Sequence, residues 1–277
     1  MYLGPSTTIL DRMGKTLAVV VAHPDDEGYS AYGTVARYAH DPAFRLVVLH
    51  ATDGEAGEIA PGVPVARRDL GAWRRQEDEN AWRVLGRLPD RHDWLGLPDG
   101  RLAAVGVRAL RDLIARFLRE ERPDVVATFG PDGVTGHPDH ILMCQATTEA
   151  FHSVRKERGP GLSRLLYLGI PLSLFERGQR WAAARGKRVW DPTKLYHLRG
   201  TPDEHFGITV DNAPVVHRML AAMKEHASQR EVIYYPDGTD AEWMSVMTSE
   251  SWVIAWPPRS PDSPLLDDVF AHFSGRR

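Results

Sequence analysis

The sequence predicts an α/β fold: a Rossmann-like, doubly wound and mostly parallel sheet with helices on both faces, followed by a less regular C-terminal portion. Over the first 150 residues, short apolar runs alternate with longer helix-compatible stretches, which is the pattern of consecutive βαβ units. The first run, TLAVVVA at 16–22, is apolar at every position instead of at alternate ones. Such a run is typical of a strand that is buried on both faces of its sheet.

The predicted strands are short runs rich in Val, Ile, Leu and aromatic residues, each bounded by Gly, Pro or charged residues. In the first 150 residues they span 16–22, 44–51, 91–95 and 124–129. Beyond that region the sequence offers 165–170, 232–235 and 251–256.

Helices are predicted over 27–39, 67–88, 105–121 and 213–229. Residues 105–121 give the clearest pattern, because apolar residues recur there at helical spacing and Pro123 follows directly. Residues 52–66 are rich in Gly and Pro and predict a loop. We expect one domain over 1–277, with its core at about 16–150 and 208–256 and an insertion or lid at 155–205.

Composition excludes several classes of protein. With 34 basic and 37 acidic residues the net charge is −3 and no long basic run occurs, so we expect no nucleic-acid partner. The longest apolar runs are strand-sized, so we expect no membrane partner. The single cysteine, Cys144, excludes an internal disulfide and every cysteine-based zinc cluster. Residues 1–16 lack a signal-like apolar run, which favours a cytoplasmic location. A monomer and a homo-oligomer are both compatible with the sequence.

Polar segments follow three of the predicted strands, where an open parallel sheet binds its ligands. They are AHPDDE at 22–27, TDGEAG at 52–57 and GPDGVTGHPDH at 130–140. One isolated His-Pro-Asp is most simply a helix-capping turn. Two copies at the ends of buried strands favour a shared function instead.

Metal chemistry explains the spacing within these segments. A catalytic zinc ion takes three nitrogen or oxygen ligands and keeps one position for water. In a His-Pro-Asp-Asp turn, the first and fourth residues can face one atom while the third faces the bound water. His23 and Asp26 are therefore candidate ligands, and Asp25 is the candidate general base. His140, which opens the next helix, is the best candidate for the third ligand.

His137 and Asp139 then lie beside the metal, where an Asp–His pair could hold an imidazolium that faces a developing oxyanion. The remaining histidines have simpler interpretations. His50 lies inside a predicted strand and is expected in the core, and His92 is expected at the surface or in packing.

Six motifs give the sequence a specific resemblance to a known family. They are AHPDDE (22–27), TDGEAG (52–57), RRQEDENAWRVLG (74–86), LGLPDG (95–100), TFGPDGVTGHPDH (128–140) and KEHASQ (224–229). Through them the chain resembles the LmbE-like / PIG-L family of zinc-dependent N-acetylglucosamine deacetylases, which includes deacetylases and amidases of mycothiol and bacillithiol metabolism. The resemblance covers about 16–150 and resumes at 208–230, whereas residues 155–205 match nothing in the family.

The resemblance implies a cofactor and a reaction. The ion would be Zn²⁺, or another divalent metal such as Fe²⁺, held by His23, Asp26 and His140. Asp25 would be the general base, and His137, oriented by Asp139, would stabilise the oxyanion. The substrate would be a small N-acetyl amino sugar.

The same resemblance implies a substrate site. Arg74 and Asp99 match positions that bind the sugar, with Glu55 in the loop beside them. For Arg74 the alternative is a solvated helix face. His226, Ser228 and Gln229 match a C-terminal motif that reaches back to the site. In some relatives a tyrosine assists the oxyanion where this chain has Thr135, so that assistance would come from His137 alone or from a mobile loop.

Three functions compete at this point. The first is deacetylation of an N-acetylglucosaminyl small molecule, and the second is cleavage of a larger thiol or sugar conjugate by the same chemistry. The third is a non-catalytic sugar- or nucleotide-binding module. The turn after the first strand lacks the Gly-x-Gly-x-x-Gly pattern of dinucleotide sites, which argues against the third.

Overall fold

The fold was analysed in a computed structural model that describes residues 15–233, 238–260 and 262–271. The strands in these residues are β1 (Lys15–Val21), β2 (Phe44–Thr52), β3 (Arg91–Leu97), β4 (Val125–Phe129), β5 (Arg164–Leu168), β6 (Ile170–Pro171), β7 (Gly200–Thr201), β8 (Phe206–Asp211) and β9 (Ser249–Trp256). Seven of them form one sheet in the order β3–β2–β1–β4–β5–β9–β8, and β6 pairs with β7. Strands β1 to β5 are parallel, whereas β9 is antiparallel to both neighbours.

The helices in the described residues are α1 (Asp26–Ser30), α2 (Tyr32–Tyr38), α3 (Leu70–Leu85), α4 (Leu102–Val105), α5 (Val107–Glu121), α6 (Gly133–Gly136), α7 (Pro138–Arg155), α8 (Leu172–Ala183), α9 (Val216–Glu225), α10 (Arg230–Ile233) and α11 (Asp240–Val246). Helix α5 packs against α7, and α2 and α3 pack against α9. No helix among the described residues is both long enough and apolar enough to cross a bilayer.

The predicted fold class is confirmed. Every β1 side chain after Lys15 is buried, as expected for a strand covered on both faces. Most of the expected strands lie within two residues of their predicted bounds. The expectation for residues 1–16 falls almost entirely outside the described residues.

Two expectations in the C-terminal half were wrong. No strand is formed at 232–233, because these residues extend a turn at 227–229 into α10; residues 234–235 lie outside the described residues. Strand β8 was not predicted, because Gly207 and Thr209 interrupt its apolar pattern. It is nevertheless stabilised by its pairing with β9.

The strand order places a ligand site between two strands. From β1 the chain moves outward to β2 and β3, and it then returns to the other side of β1 with β4. Ligands of open α/β sheets bind at the carboxyl ends of the two strands that flank such a reversal. The segments 22–27 and 130–140 follow β1 and β4, so both His-Pro-Asp motifs lie at this point.

Candidate metal centre and active site

Three buried side chains converge at the ends of β1 and β4. His23 Nδ1 lies 3.3 Å from Asp26 Oδ2. His140 Nε2 lies 3.2 Å from Asp26 Oδ1 and 3.2 Å from His23 Nδ1. Two bonds of about 2.0–2.1 Å at a tetrahedral zinc span about 3.3 Å between ligand atoms, so the three separations fit one such ion.

The partners of both rings leave lone pairs facing the centre. His140 Nδ1 lies 3.1 Å from the Gly133 carbonyl oxygen, which can only accept, so the proton is on Nδ1 and Nε2 has a lone pair. His23 Nε2 lies 3.0 Å from Asp99 Oδ1 and 3.5 Å from Asp139 Oδ2, close contacts without hydrogen-bond geometry. Two carboxylates on that side attract a proton to Nε2, and that tautomer has a lone pair on Nδ1. Two lone pairs and a carboxylate therefore face one another, an arrangement that a cation stabilises.

His137 offers a third nitrogen, within 4.8 Å of nitrogens of His23 and His140. However, its Nδ1 accepts the backbone N–H of Asp139 at 3.1 Å, in the manner of a helix N-cap. The ring proton is therefore on Nε2. Burial lowers the pKa of His137 to about 4, so the ring is neutral near pH 7. His137 is arranged as a hydrogen-bond donor, whereas Asp26 lies between the other two rings as a candidate ligand.

The expected pairing of the Asp139 carboxylate with the His137 ring is wrong in this structure. The Asp139 carboxylate accepts the backbone N–H groups of Gly100 and Leu102, at 2.8 and 3.2 Å. These two hydrogen bonds orient the Asp139 carboxylate towards His23 instead of the His137 ring. The expected imidazolium is replaced by a neutral ring whose tautomer is set by the Asp139 backbone.

Asp25 occupies a backbone conformation that is rare outside glycine, with φ of 104°. Its backbone N–H donates to both carboxylate oxygens of Glu27, at 3.2 and 3.3 Å. Burial raises the pKa of Asp25 to about 8, while the positive charge of Arg74 acts in the opposite direction. Strained residues of this kind are concentrated at functional sites.

Arg74 is buried, so a solvated helix face does not describe it. Its guanidinium donates to the carbonyls of Pro24 and Gly54 and to Asp25 Oδ2. Gly54 has a φ of +66°, and a Cβ there would lie 2.1 Å from the Arg74 guanidinium. The loop after β2 therefore needs glycine at this position to receive the arginine.

The other predicted sugar contacts, Asp99 and Glu55, are bonded to each other and to the loop after β2. The Asp99 carboxylate accepts the Ala56 N–H at 3.0 Å, and Glu55 Oε1 accepts the Asp99 N–H at 2.8 Å. Glu55 itself is exposed. The structure thus places Asp99 against the candidate metal ligand His23 and leaves Glu55 exposed to solvent.

The C-terminal motif packs beside Glu27, which accepts the Asp25 N–H, because His226 Nε2 lies 3.6 Å from Glu27 Oε1. His226 Nε2 lies 3.0 Å from the Tyr32 hydroxyl. Ser228 donates its N–H and its hydroxyl to the Glu77 carboxylate, at 2.8 and 2.6 Å. Gln229 donates to the Glu58 carbonyl.

Tyr196 is a site residue that sequence reasoning missed. It lies in the segment expected to be an insertion or lid, and its ring meets the His137 ring edge-on at 5.1 Å between centroids. The same segment is fixed to the site by the Arg199 N–H, which donates to the Val134 carbonyl. No spacing rule connects residue 196 to the His-Pro-Asp motifs, so the sequence contained no signal for this contact.

The chain is similar to known proteins over most of its length. The family model of PIG-L, described as GlcNAc-PI de-N-acetylase, matches residues 18–151. A 1D-myo-inositol 2-acetamido-2-deoxy-alpha-D-glucopyranoside deacetylase from Saccharomonospora viridis is 32% identical, over 91% of this chain and 98% of the relative. A relative of the same name from Streptomyces scabiei is 31% identical, over 80% of this chain and 79% of the relative.

The fold also matches that of a solved deacetylase. The N,N'-diacetylchitobiose deacetylase from Pyrococcus horikoshii aligns with a TM-score of 0.56 at 22% identity, over 88% of this chain and 84% of the other. At that identity the likeness concerns the fold alone.

Proposed function

The chain belongs to the PIG-L family of GlcNAc-PI de-N-acetylases, and on that basis we propose that it is a metal-dependent hydrolase that removes the acetyl group from an N-acetylglucosaminyl small molecule. The reaction is hydrolysis of a linear amide, which releases acetate and a free amine. The first substrate to consider is the one in the names of both relatives, 1D-myo-inositol 2-acetamido-2-deoxy-alpha-D-glucopyranoside.

The observation that carries the proposal is the convergence of His23, Asp26 and His140. Each facing ring nitrogen lies 3.2–3.3 Å from one Asp26 carboxylate oxygen, and the two nitrogens lie 3.2 Å apart. We propose Zn²⁺ as the ion, since two imidazoles and one carboxylate suit it; Fe²⁺ accepts the same ligands. An ion of this type acidifies its bound water and polarises a carbonyl oxygen.

Asp25 is proposed as the general base. It adjoins the ligand Asp26, and its carboxylate is held by Arg74 at 2.9 Å. Because Arg74 occupies Oδ2, Oδ1 is the oxygen left to accept a proton from the attacking water. The carboxylate must be ionised to do so. Arg74 favours that form, but burial outweighs it and raises the pKa of Asp25 to about 8, so the ionised fraction grows as the pH rises towards 8.

His137 is proposed to donate a hydrogen bond to the developing oxyanion. The Asp139 N–H holds its Nδ1, so Nε2–H is the group that points away from the helix end. Removing one such donor in other enzymes costs about 2.7–4 kcal/mol of transition-state stabilisation. We assign Asp139 and Asp99 to positioning His23 through its Nε2.

Arg74, Asp99 and Glu55 remain our proposed contacts for the sugar. Arg74 reaches the loop after β2 from α3, Glu55 lies in that loop and Asp99 follows β3, and the two carboxylates can accept sugar hydroxyls. Arg74 and Asp99 already have protein partners, so a sugar contact would be additional to their structural bonds.

The test is release of free amine from a panel of N-acetylglucosaminyl compounds, with metal content measured on the same sample. We expect about one ion per chain to depend on His23 and Asp26, so His23→Ala and Asp26→Ala should each lose that ion and turnover with it. Asp112→Asn, which changes an exposed carboxylate, is the control for effects of purification and dialysis on metal content and turnover. Turnover by metal-free protein, or unchanged metal content in both ligand variants, would refute the assignment.

A further inference from the structure

A second group of metal-binding side chains lies beside the proposed active site and has no role in it. His50 on β2, Asp78 on α3 and His92 on β3 each place one ligand atom within 4.8 Å of the others. The side chains of His50 and Asp78 are fully buried, and that of His92 is 19% exposed. We call these three residues the His50 cluster.

Hydrogen bonds within the protein do not satisfy the His50 cluster. His50 Nε2 lies 3.1 Å from Glu27 Oε2, which favours the proton on Nε2 and leaves a lone pair on Nδ1. That lone pair lies 3.0 Å from His92 Nε2, which itself lies 3.3 Å from Asp78 Oδ2. One ring nitrogen has at most one proton, so His92 cannot satisfy both acceptors.

Asp78 is left without a donor as a result. Neither of its carboxylate oxygens has a hydrogen-bond partner among the described residues, although both are buried. A buried carboxylate without a partner is strongly destabilising, and proteins normally pair it or use it to bind a metal. Burial and the neighbouring Glu27 carboxylate raise the pKa of Asp78, so its ionised form lacks a compensating charge, and His92 Nε2 lies 3.3 Å from Asp78 Oδ2.

The donor set and its spacing fit a transition-metal ion. Two imidazole nitrogens and one carboxylate oxygen are common ligands of zinc and of similar divalent ions. The separations of 3.0 and 3.3 Å are near the value of about 3.3 Å expected between two ligands of a tetrahedral ion. Glu27 accepts a hydrogen bond from Nε2 of His50, the ring nitrogen that does not face His92. Carboxylates commonly orient metal-ligating histidines in this way.

Among the described residues, the guanidinium of Arg75 lies near the cluster and is already engaged elsewhere. Trp94 stacks on His50 with 4.3 Å between centroids, and the Arg75 guanidinium lies on Trp94, 4.6 Å from its centroid. Arg75 is ion-paired with Asp53, at 2.5 Å.

We propose that the His50 cluster binds a second divalent transition-metal ion, distinct from the ion at His23, Asp26 and His140. Glu27 connects the two sites, because its carboxylate contacts His50 and accepts the backbone N–H of Asp25. The second ion fixes this carboxylate and so supports the strained turn that presents Asp25. Its role is structural, and its binding does not require the proposed catalysis.

The test uses full-length protein, Zn²⁺ as the only added metal, and metal analysis after dialysis. We expect about two ions per chain in the wild type and about one in the double variant His23→Ala/Asp26→Ala. Adding Asp78→Asn to the double variant should remove the remaining ion. Asp78→Asn and His92→Gln alone should each bind about one ion, whereas the exposed control His40→Ala should keep two.

Cobalt provides a second measurement that is independent of turnover. In the double variant, Co²⁺ should give visible absorption bands that saturate at one equivalent and disappear in the Asp78→Asn triple variant. A double variant that binds no ion, or one whose ion survives both Asp78→Asn and His92→Gln, would overturn the proposal. A wild-type protein that binds one ion, and keeps it in the His23→Ala/Asp26→Ala variant, would instead contradict the proposed function.

Discussion

Arg74 and Asp25 form a buried ion pair, with 2.9 Å between Arg74 Nη2 and Asp25 Oδ2 and side-chain exposures of 5% and 12%. Arg74 is on α3, whereas Asp25 is in the turn after β1, so the pair connects two elements that meet only in the folded protein. The arginine offsets the burial of the carboxylate and fixes one of its oxygens. The proposed base therefore depends on a residue 49 positions away in the sequence.

The first prediction concerns Asp25 itself. Asp25→Asn keeps the size of the side chain and the ligands His23 and Asp26, so we expect metal content to be unchanged. We expect kcat to fall by about 10²–10⁴-fold, the usual effect of losing a general base. Metal analysis and amine release on the same preparation test this. Loss of the metal together with activity would mean that Asp25 is a ligand.

The second prediction separates two roles of Arg74. Arg74→Ala removes the partner of Asp25, so kcat/KM should fall on every amide substrate. If Arg74 also binds the sugar, the loss should be greater on an N-acetylglucosaminyl substrate than on a minimal acetamide, by about 1–3 kcal/mol. Asp99→Ala should show the same extra loss. Arg83→Ala, exposed on the same helix, is the matched control. Equal losses of kcat/KM on both substrates would show that Arg74 and Asp99 do not contact the sugar.

The third prediction concerns Tyr196, whose ring covers one edge of His137. Tyr196→Ala should lower kcat/KM by about two- to tenfold, a ratio that corresponds to the free energy of one aromatic contact. The metal content should stay constant. Tyr196→Phe keeps the ring and should retain most of the activity. Leu195→Ala, at an equally exposed neighbour, should have no effect. A large loss in Tyr196→Phe would show that the hydroxyl, and not the ring, is required.

The fourth prediction concerns the pH dependence of stability. Glu250 on β9 is buried and accepts the Gly33 N–H at 3.0 Å and the Trp252 indole N–H at 3.0 Å. Burial raises its pKa to about 7, while hydrogen bonds from Thr34 act in the opposite direction. Between the ordinary pKa of about 4.5 and 7, the unfolded chain has lost this proton and the native protein retains it. The free energy of unfolding should therefore fall as the pH rises through this interval, by about 3 kcal/mol from Glu250.

Urea unfolding at pH 5 and pH 7 measures this contribution. Glu250→Gln should reduce the difference between the two free energies, because glutamine does not titrate. The exposed Glu79→Gln should leave the difference unchanged. An identical difference in wild type and Glu250→Gln would show that Glu250 is already ionised at pH 5.

The sequence predicted those features that depend on local pattern. His23 and Asp26 are three residues apart in one turn, and their convergence follows from that spacing. The strands β1, β2 and β4 were predicted because burial on both faces requires uninterrupted apolar runs. The fold class then placed His140 near His23.

Features that depend on contacts between distant elements could not be predicted in this way. The members of the His50 cluster come from β2, α3 and β3, and no motif relates them. The orientation of the Asp139 carboxylate is decided by the backbone N–H groups of residues 100 and 102, which the sequence does not place beside α7. Tyr196 meets His137 because the segment before β8 returns to α6, a path that the sequence does not specify.

The position of β9 affects how the sheet can be assembled during synthesis. This strand lies between β5 and β8, although both precede it in the chain. Until residues 249–256 have been synthesised, β5 presents an unpaired edge and β8 has no neighbour in the sheet. An unpaired edge can pair with another chain, so nascent molecules on neighbouring ribosomes are exposed to mutual aggregation during this interval. Slow translation between β5 and β9 would prolong that exposure, even though both proposed metal centres are built from residues that precede β5.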